Sequence, residues 1–128
     1  MIEGPKAGGH LGFSDEELAD IENIDYDEEI KDIIECTKEY GEKYNTHIPV
    51  IVAGGIFDHD DIIHALELGA DGVQIASRFV ATKECDASDE YKQAYLDAKE
   101  DDVKIIKSPV GMPGRAIRND FIKRVEKE

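Results

Sequence analysis

Basic residues are scarce in this 128-residue chain: 15 Lys and Arg stand against 30 Asp and Glu, for a formal net charge of −15 and a pI near 4.5. Proteins that hold nucleic acid displace counterions with Lys and Arg, so this balance argues against a nucleic-acid partner, and equally against an anionic membrane surface. Cysteine is sparse too. Cys36 and Cys85 lie far apart with no CxxC, which leaves reduced structural thiols as the default reading. No apolar run is long enough to span a bilayer. The opening Met1-Ile2-Glu3-Gly4-Pro5-Lys6 lacks the basic and apolar regions of a signal peptide, which points to the cytoplasm. GxGxxG, GxSxG and HExxH are all absent, so a Rossmann dinucleotide site, a serine nucleophile and a zinc protease site have no support. His59 and His64 are five apart, poor spacing for joint ligation on a helix. With His47 they read as surface residues, and no metal is expected.

What is present is uneven. Thirteen Asp and Glu fall between Ser14 and Glu42 against Lys31 and Lys38, while seven Lys and Arg lie between Lys104 and Lys127. The acidic stretch reads as a solvated helix face; a docking surface for a basic partner is the other possibility. With 41% hydrophobic residues and a mean hydropathy of −0.46, the chain can bury a modest core.

The first dozen residues are glycine-rich and carry no helix or strand pattern. Residues 27 to 44 read as an amphipathic helix with Ile30, Ile33, Ile34, Thr37, Tyr40 and Tyr44 on one stripe. Ile48-Pro49-Val50-Ile51-Val52-Ala53 is almost wholly apolar, as expected of a strand covered on both faces in a parallel sheet. A helix from the Asp58 cap to Leu68 turns Ile62, Ala65 and Leu66 inward. Residues 73 to 80 read as a second strand. Ser88 caps a third helix carrying Tyr91, Ala94, Tyr95 and Ala98, and the loop Ser108–Gly114 precedes a last helix with Ile117, Phe121 and Val125. Alternating strand and helix at this spacing is a βαβ series, an α/β fold.

Two places can carry chemistry. Gly54-Gly55 lies between a buried strand and a helix, where glycine admits a ligand to the backbone and free N–H groups can cradle a phosphate. Ala76-Ser77 lies past the next strand, and paired strand ends hold phosphate after the last two strands of a (β/α)8 barrel. A glycine pair at a strand end also serves simply as a tight turn. The other place is Ala7-Gly8-Gly9-His10-Leu11-Gly12, where a histidine between glycines has no local packing to explain it and can act as a base or bond a cofactor.

Taken in order, Glu3-Gly4-Pro5-Lys6-Ala7-Gly8-Gly9-His10-Leu11-Gly12, Ile48–Ile56, and Leu68-Gly69-Ala70-Asp71-Gly72-Val73-Gln74-Ile75-Ala76-Ser77-Arg78-Phe79 resemble the nitronate monooxygenase family, formerly 2-nitropropane dioxygenases. That family includes similar FMN-dependent enoyl-acyl-carrier-protein reductases. The tail Ser108–Asn119 also resembles the family, so the likeness runs from Glu3 to about Phe121.

The resemblance implies the C-terminal portion of an FMN-binding (β/α)8 TIM barrel: strands seven and eight and the loop after strand six, with strand six itself before Met1. It divides the chain into an active-site loop at 1–13, an FMN-phosphate βαβ unit at 48–80 and C-terminal helices at 88–128. His10 then matches the catalytic histidine. Glu3, Gly8 and Gly9 fall beside the flavin, and Gly54, Gly55, Gln74, Ile75, Ala76 and Ser77 match the phosphate cradle. Three departures stand out: Lys6 where the family commonly has Glu, Glu3 where it often has Gln, and Ala76-Ser77 for the usual Gly-Thr.

The implied reaction is FMN-dependent oxidation of alkyl nitronates or nitroalkanes, with an NADH-dependent enoyl-thioester reductase or an inert barrel fragment as alternatives. Eight βα units need about 250 residues, so an incomplete barrel with open sheet edges is expected to self-associate and cover them.

Overall fold

The computed structural model describes residues 1–108 and 110–125; Pro109 of the tail motif, and Glu126 and Lys127 at the end of the charged tail, lie outside the described residues. The chain forms two compact units, one built from Met1–Ala7 and Phe13–Ile75, the other from Gly8–Gly12 and the chain from Ala76 onward.

The first unit is a three-stranded parallel sheet covered by helices. Its strands are β1 (Ile2–Glu3), β3 (Ile51–Ala53) and β4 (Gly72–Gln74), in the order β1-β3-β4. Helix α1 (Asp15–Ala19) opens with a capping box between Ser14 and Glu17. Helix α2 (Tyr26–Tyr44) starts where the Asp25 carboxylate accepts from the Glu28 N–H, and stops at Asn45, whose φ of 49° is the left-handed turn that ends a helix. Helix α3 (His59–Glu67) is capped by Asp58, whose carboxylate accepts from the N–H groups of Asp60 and Asp61 while Asp61 bonds back. Parallel pairing needs such helical crossovers, because a tight turn cannot return a strand in the same direction.

Ile30 and Ile34 of α2 and Ala65 of α3 bury against Val50, Val52 and Ala70, with Ile2, Tyr26, Ile56, Leu68 and Val73 packed around them. Each fully buried aliphatic side chain of this kind stabilises by about 1.5–3 kcal/mol. Gly41 is the other buried position of α2; an added Cβ there would sit 2.6 Å from the Thr46 carbonyl oxygen, so helix and following loop touch backbone to backbone. The expected stripe is narrower than drawn. Ile33, Tyr40 and Tyr44 are exposed, because the sheet meets only the Ile30–Ile34–Gly41 line. Leu66 is exposed for the same reason, and Ala65 alone of α3 is fully buried.

The second unit is an antiparallel sheet in the order β2-β6-β5 with three helices. Strands β5 (Val103–Lys107) and β6 (Pro113–Ile117) form a hairpin, and β2 (Gly9–His10) adds to its far side with His10 opposite Gly114. Helices α4 (Ser77–Val80), α5 (Asp89–Asp97, capped by Ser88) and α6 (Asp120–Val125) complete it.

Several expectations are corrected here. The first dozen residues do contain strands, β1 and β2, each of two residues and too short to leave a periodic signal. The strand leading into the glycine loop, expected before Met1, ends inside the chain as β1, where the Gly4 N–H donates to the Ala53 carbonyl at 2.8 Å. The strand expected over 73–80 ends at Gln74, and Ser77–Val80 coils into α4 with the Phe79 and Val80 N–H groups donating to the Ala76 carbonyl. The tail is a hairpin before it is a helix: Ile117 lies in β6, Phe121 is exposed and Ile122 is the buried residue of α6. Helix α5 buries none of its residues, Tyr91 and Ala94 included.

Candidate functional site

In the first unit the ends of the parallel strands gather several of the singled-out residues. Glu3 pairs with Ala53 and Ala53 with Gln74, so the three form one row across the sheet. Gly54 and Gly55 follow directly, at φ of +88° and +83°, a conformation that only glycine takes without strain. A Cβ on Gly54 would lie 2.9 Å from both the Ala7 nitrogen and the Ala7 Cβ, so the glycine lets the two loops close on each other. Gly55 faces the stem of Lys6, 3.3 Å from where its Cβ would be. The charge of Lys6 also reaches Asp61, whose carboxyl is held below its ordinary range first by the N–H groups of Phe57 and Asp58. Tyr26 packs beneath this end: its hydroxyl donates to the Ala53 carbonyl at 3.4 Å. Burial, then the charges of Glu29 and Glu3, push that phenol up to about 12.

The second unit holds Gly8, Gly9, His10, Ala76 and Ser77. Gly9 has a φ of +80°, and Gly8 and Gly9 have open space where a Cβ would be. His10 is exposed, and its Nε2 lies 2.9 Å from Ser108 Oγ. Reading the sequence did not anticipate Ser108 as the partner of His10. Ala76 and Ser77 are exposed at the start of α4, which has no side-chain cap. Ile75 and Gln74 close the first unit, so the run Gln74–Ser77 is continuous in the chain but divided between the units.

The other histidines are tied to carboxylates. His47 Nε2 meets Asp71 at 2.8 Å, and His64 Nε2 meets Asp27 at 2.8 Å. Asp71 also accepts from the Val50 N–H at 2.7 Å; that bond first, and His47 second, hold its carboxyl below the ordinary range. A groove of about 610 Å³ lies at this opposite end of the strands, bounded by Thr37, Gly41, His47, Val50 and Asp71 among others. It contains none of the glycine-turn or His10 residues, and the chemistry of those residues weighs more than the size of the groove. Among the described residues no group of three or more His, Cys, Asp or Glu could hold a metal ion, and no helix is long and apolar enough to cross a membrane.

Known proteins match this α/β chain over nearly its whole length. The family model of nitronate monooxygenase matches residues 1–128. The chain belongs to the nitronate monooxygenase family. A protein of Staphylococcus saprophyticus named "Probable nitronate monooxygenase" is 31% identical over 125 residues, covering 98% of this chain and 33% of that protein. A protein of the same name from Staphylococcus aureus strain Newman is 31% identical over 128 residues. Among solved structures, FabK from Thermotoga maritima superposes with a TM-score of 0.68 at 29% identity, covering 98% of this chain and 34% of that one. A nitroalkane oxidase from Streptomyces ansochromogenes gives 0.66 at 29% identity, covering 94% and 33%. The chain thus spans about a third of the length of the relatives it matches.

Proposed function

We propose that this chain carries the flavin-phosphate cradle and the catalytic base of an FMN-dependent nitronate monooxygenase, within a (β/α)8 barrel of which β1, β3 and β4 are three parallel strands. The observation that carries the proposal is the row Glu3–Ala53–Gln74 with Gly54 and Gly55 directly beyond it. Such barrels hold their sites at the C-terminal ends of their strands. In the first unit the backbone turn at Gly54 and Gly55 and the exposed Gln74 amide offer donors that suit a phosphate; in the second, Ala76 and Ser77 are exposed and offer backbone and hydroxyl donors. Glu3, Gly8, Gly9 and Ile75 are the remaining residues assigned to the flavin.

Bound FMN supplies the redox chemistry; the chain supplies binding and proton transfer. His10 takes the proton from the carbon bearing the nitro group: the C–H bond breaks, an N–H bond forms on the imidazole, and the electron pair passes into the nitro group to give the nitronate. FMN titration followed by flavin fluorescence tests the cradle, and a chain that binds no flavin is the inert fragment instead. His10→Asn in the complete enzyme tests the base, since the isolated third of a barrel is expected to be inactive. Turnover of neutral nitroalkane falls far more than turnover of pre-formed nitronate, and equal losses overturn the role. The FMN-dependent enoyl-acyl-carrier-protein reductase reading shares the cradle; NADH-dependent reduction of an enoyl thioester by the same flavin-loaded sample would favour it.

Among the described residues β1 and β4 are each paired on one side only. Unpaired strand edges invite further strands. Self-association that covers them is therefore part of the proposal, and light scattering on the eluted protein that gives a compact monomer would refute it.

A further inference from the structure

We propose that Lys6 is a ligand-binding residue whose ammonium supplies the counter-charge for a phosphate monoester held on the Gly54–Gly55 turn; this rests on the reading of that turn as a phosphate cradle. Lys6 belongs to the same compact unit as the turn and is exposed. Its stem lies along the glycines: Cβ and Cδ are 3.3 Å, and Cγ 3.8 Å, from where a Cβ of Gly55 would be. Buried Ala7 anchors the next residue, with its nitrogen and Cβ 2.9 Å from the corresponding position on Gly54. The ammonium is two bonds past Cδ, so with the stem on Gly55 the charge has to lie close to the turn. Among the described residues it makes no hydrogen bond or ion pair, and the N–H groups of Gly54 and Gly55 have no acceptor. Two uncommitted donors and an uncommitted cation therefore lie side by side.

The start of α3, where an anion would ordinarily settle, is already filled. Asp58 accepts from the N–H groups of Asp60 and Asp61, and Asp61 accepts from those of Phe57 and Asp58 at 2.8 and 3.1 Å. These carboxylates, with that of Asp60, put negative charge beside any phosphate on the turn. A dianion is held there only if a cation offsets the repulsion. Lys6 is placed to do so. Its charge already reaches Asp61, although the N–H groups of Phe57 and Asp58 act on that carboxyl more strongly. An ammonium with three donors on a flexible stem can turn from solvent to a phosphate oxygen without disturbing the glycines.

The test titrates FMN, and riboflavin, which lacks the phosphate, into the full chain and into Lys6→Met and Lys6→Arg, reading flavin fluorescence and the amide resonances of Gly54 and Gly55. Methionine keeps an unbranched stem on Gly55 and removes the charge; arginine keeps the charge. Lys6→Met weakens FMN binding about 5- to 10-fold, the scale of one charge-assisted hydrogen bond at an exposed site, and leaves riboflavin unchanged. Lys6→Arg stays close to the parent. Added salt weakens FMN binding more steeply in the parent than in Lys6→Met. A preference for FMN over riboflavin that is the same in Lys6→Met as in the parent overturns the role of Lys6 and leaves the cradle standing. A parent chain that binds FMN no tighter than riboflavin overturns both.

Discussion

Gly54 and Gly55 share a backbone conformation but not a neighbourhood, so alanine at each should carry one cost in common and one apart. Both have φ near the left-handed region, at +88° and +83°. A side chain there costs about 1–2 kcal/mol at either position. The second cost differs. The new Cβ at Gly54 would lie 2.9 Å from Ala7 nitrogen and Cβ and 3.0 Å from its Cα, whereas comfortable carbon contacts begin at about 3.5 Å. Ala7 is buried, so the loop backbone itself has to move, at about 1–3 kcal/mol. At Gly55 the contacts are Cβ and Cδ of exposed Lys6, both at 3.3 Å; Cδ can swing aside and Cβ has to give by only a few tenths of an ångström. Gly54→Ala should therefore destabilise by about 2–5 kcal/mol and Gly55→Ala by about 1–2 kcal/mol. Urea unfolding followed by circular dichroism reads the gap as about 1 M or more between the two midpoints, with unchanged slopes. Equal losses, or a larger loss at Gly55, would refute the close approach of the Ala7 loop. Flavin titration of Gly55→Ala, the milder variant, then reads the cradle with the smaller folding defect.

Asp71→Asn should flatten the acid limb of the stability curve. The Val50 N–H and His47 lower the folded value of this carboxyl below 3.8. Its contribution is therefore complete above that value and is lost as pH falls through the lower folded one; urea midpoints from about pH 5 down to about pH 2 measure it, and parallel curves for the two proteins would count against it. Gly41→Ala should destabilise, although alanine gains about 1 kcal/mol of helix propensity, because its Cβ would meet the Thr46 carbonyl oxygen at 2.6 Å. A rise in melting temperature would mean that the loop after α2 yields freely.

Helices and caps were the legible part. Asp58 and Ser88 each sit one residue before a helix, where a side-chain oxygen accepts from a free N–H, and that chemistry is local enough to read. The apolar run ending at Ala53 announced β3 for a similar reason. The Ser77–Val80 helix was not legible, because a short apolar run following a strand carries no period that separates coil from extension. Neither was the choice of Ile122 over Phe121, since a six-residue helix offers no repeat to average over. The hairpin did leave a trace in its turn, where Gly111 takes a φ of +88°, but β5 itself contains Lys104 and Lys107 and alternates poorly. At the site, the glycines and His10 stood out by composition. Ser108 could not, since only the β2–β6–β5 ladder connects it to His10.

The ladder that seats His10 also sets when it can be seated. His10 pairs with Gly114, so β2 has no partner until the ribosome has delivered more than a hundred further residues. The residues of the first unit, by contrast, are all synthesised by Ile75. At about 5–20 residues per second, the glycine loop waits several seconds or more while the parallel sheet can already form. Contacts so distant in sequence form slowly because the loop must be closed before they reward it. A nascent chain stalled short of Pro113 would therefore present a folded parallel sheet and an unseated histidine, and protease cleavage at Gly8–Gly12 would be the clock that reports completion of the hairpin.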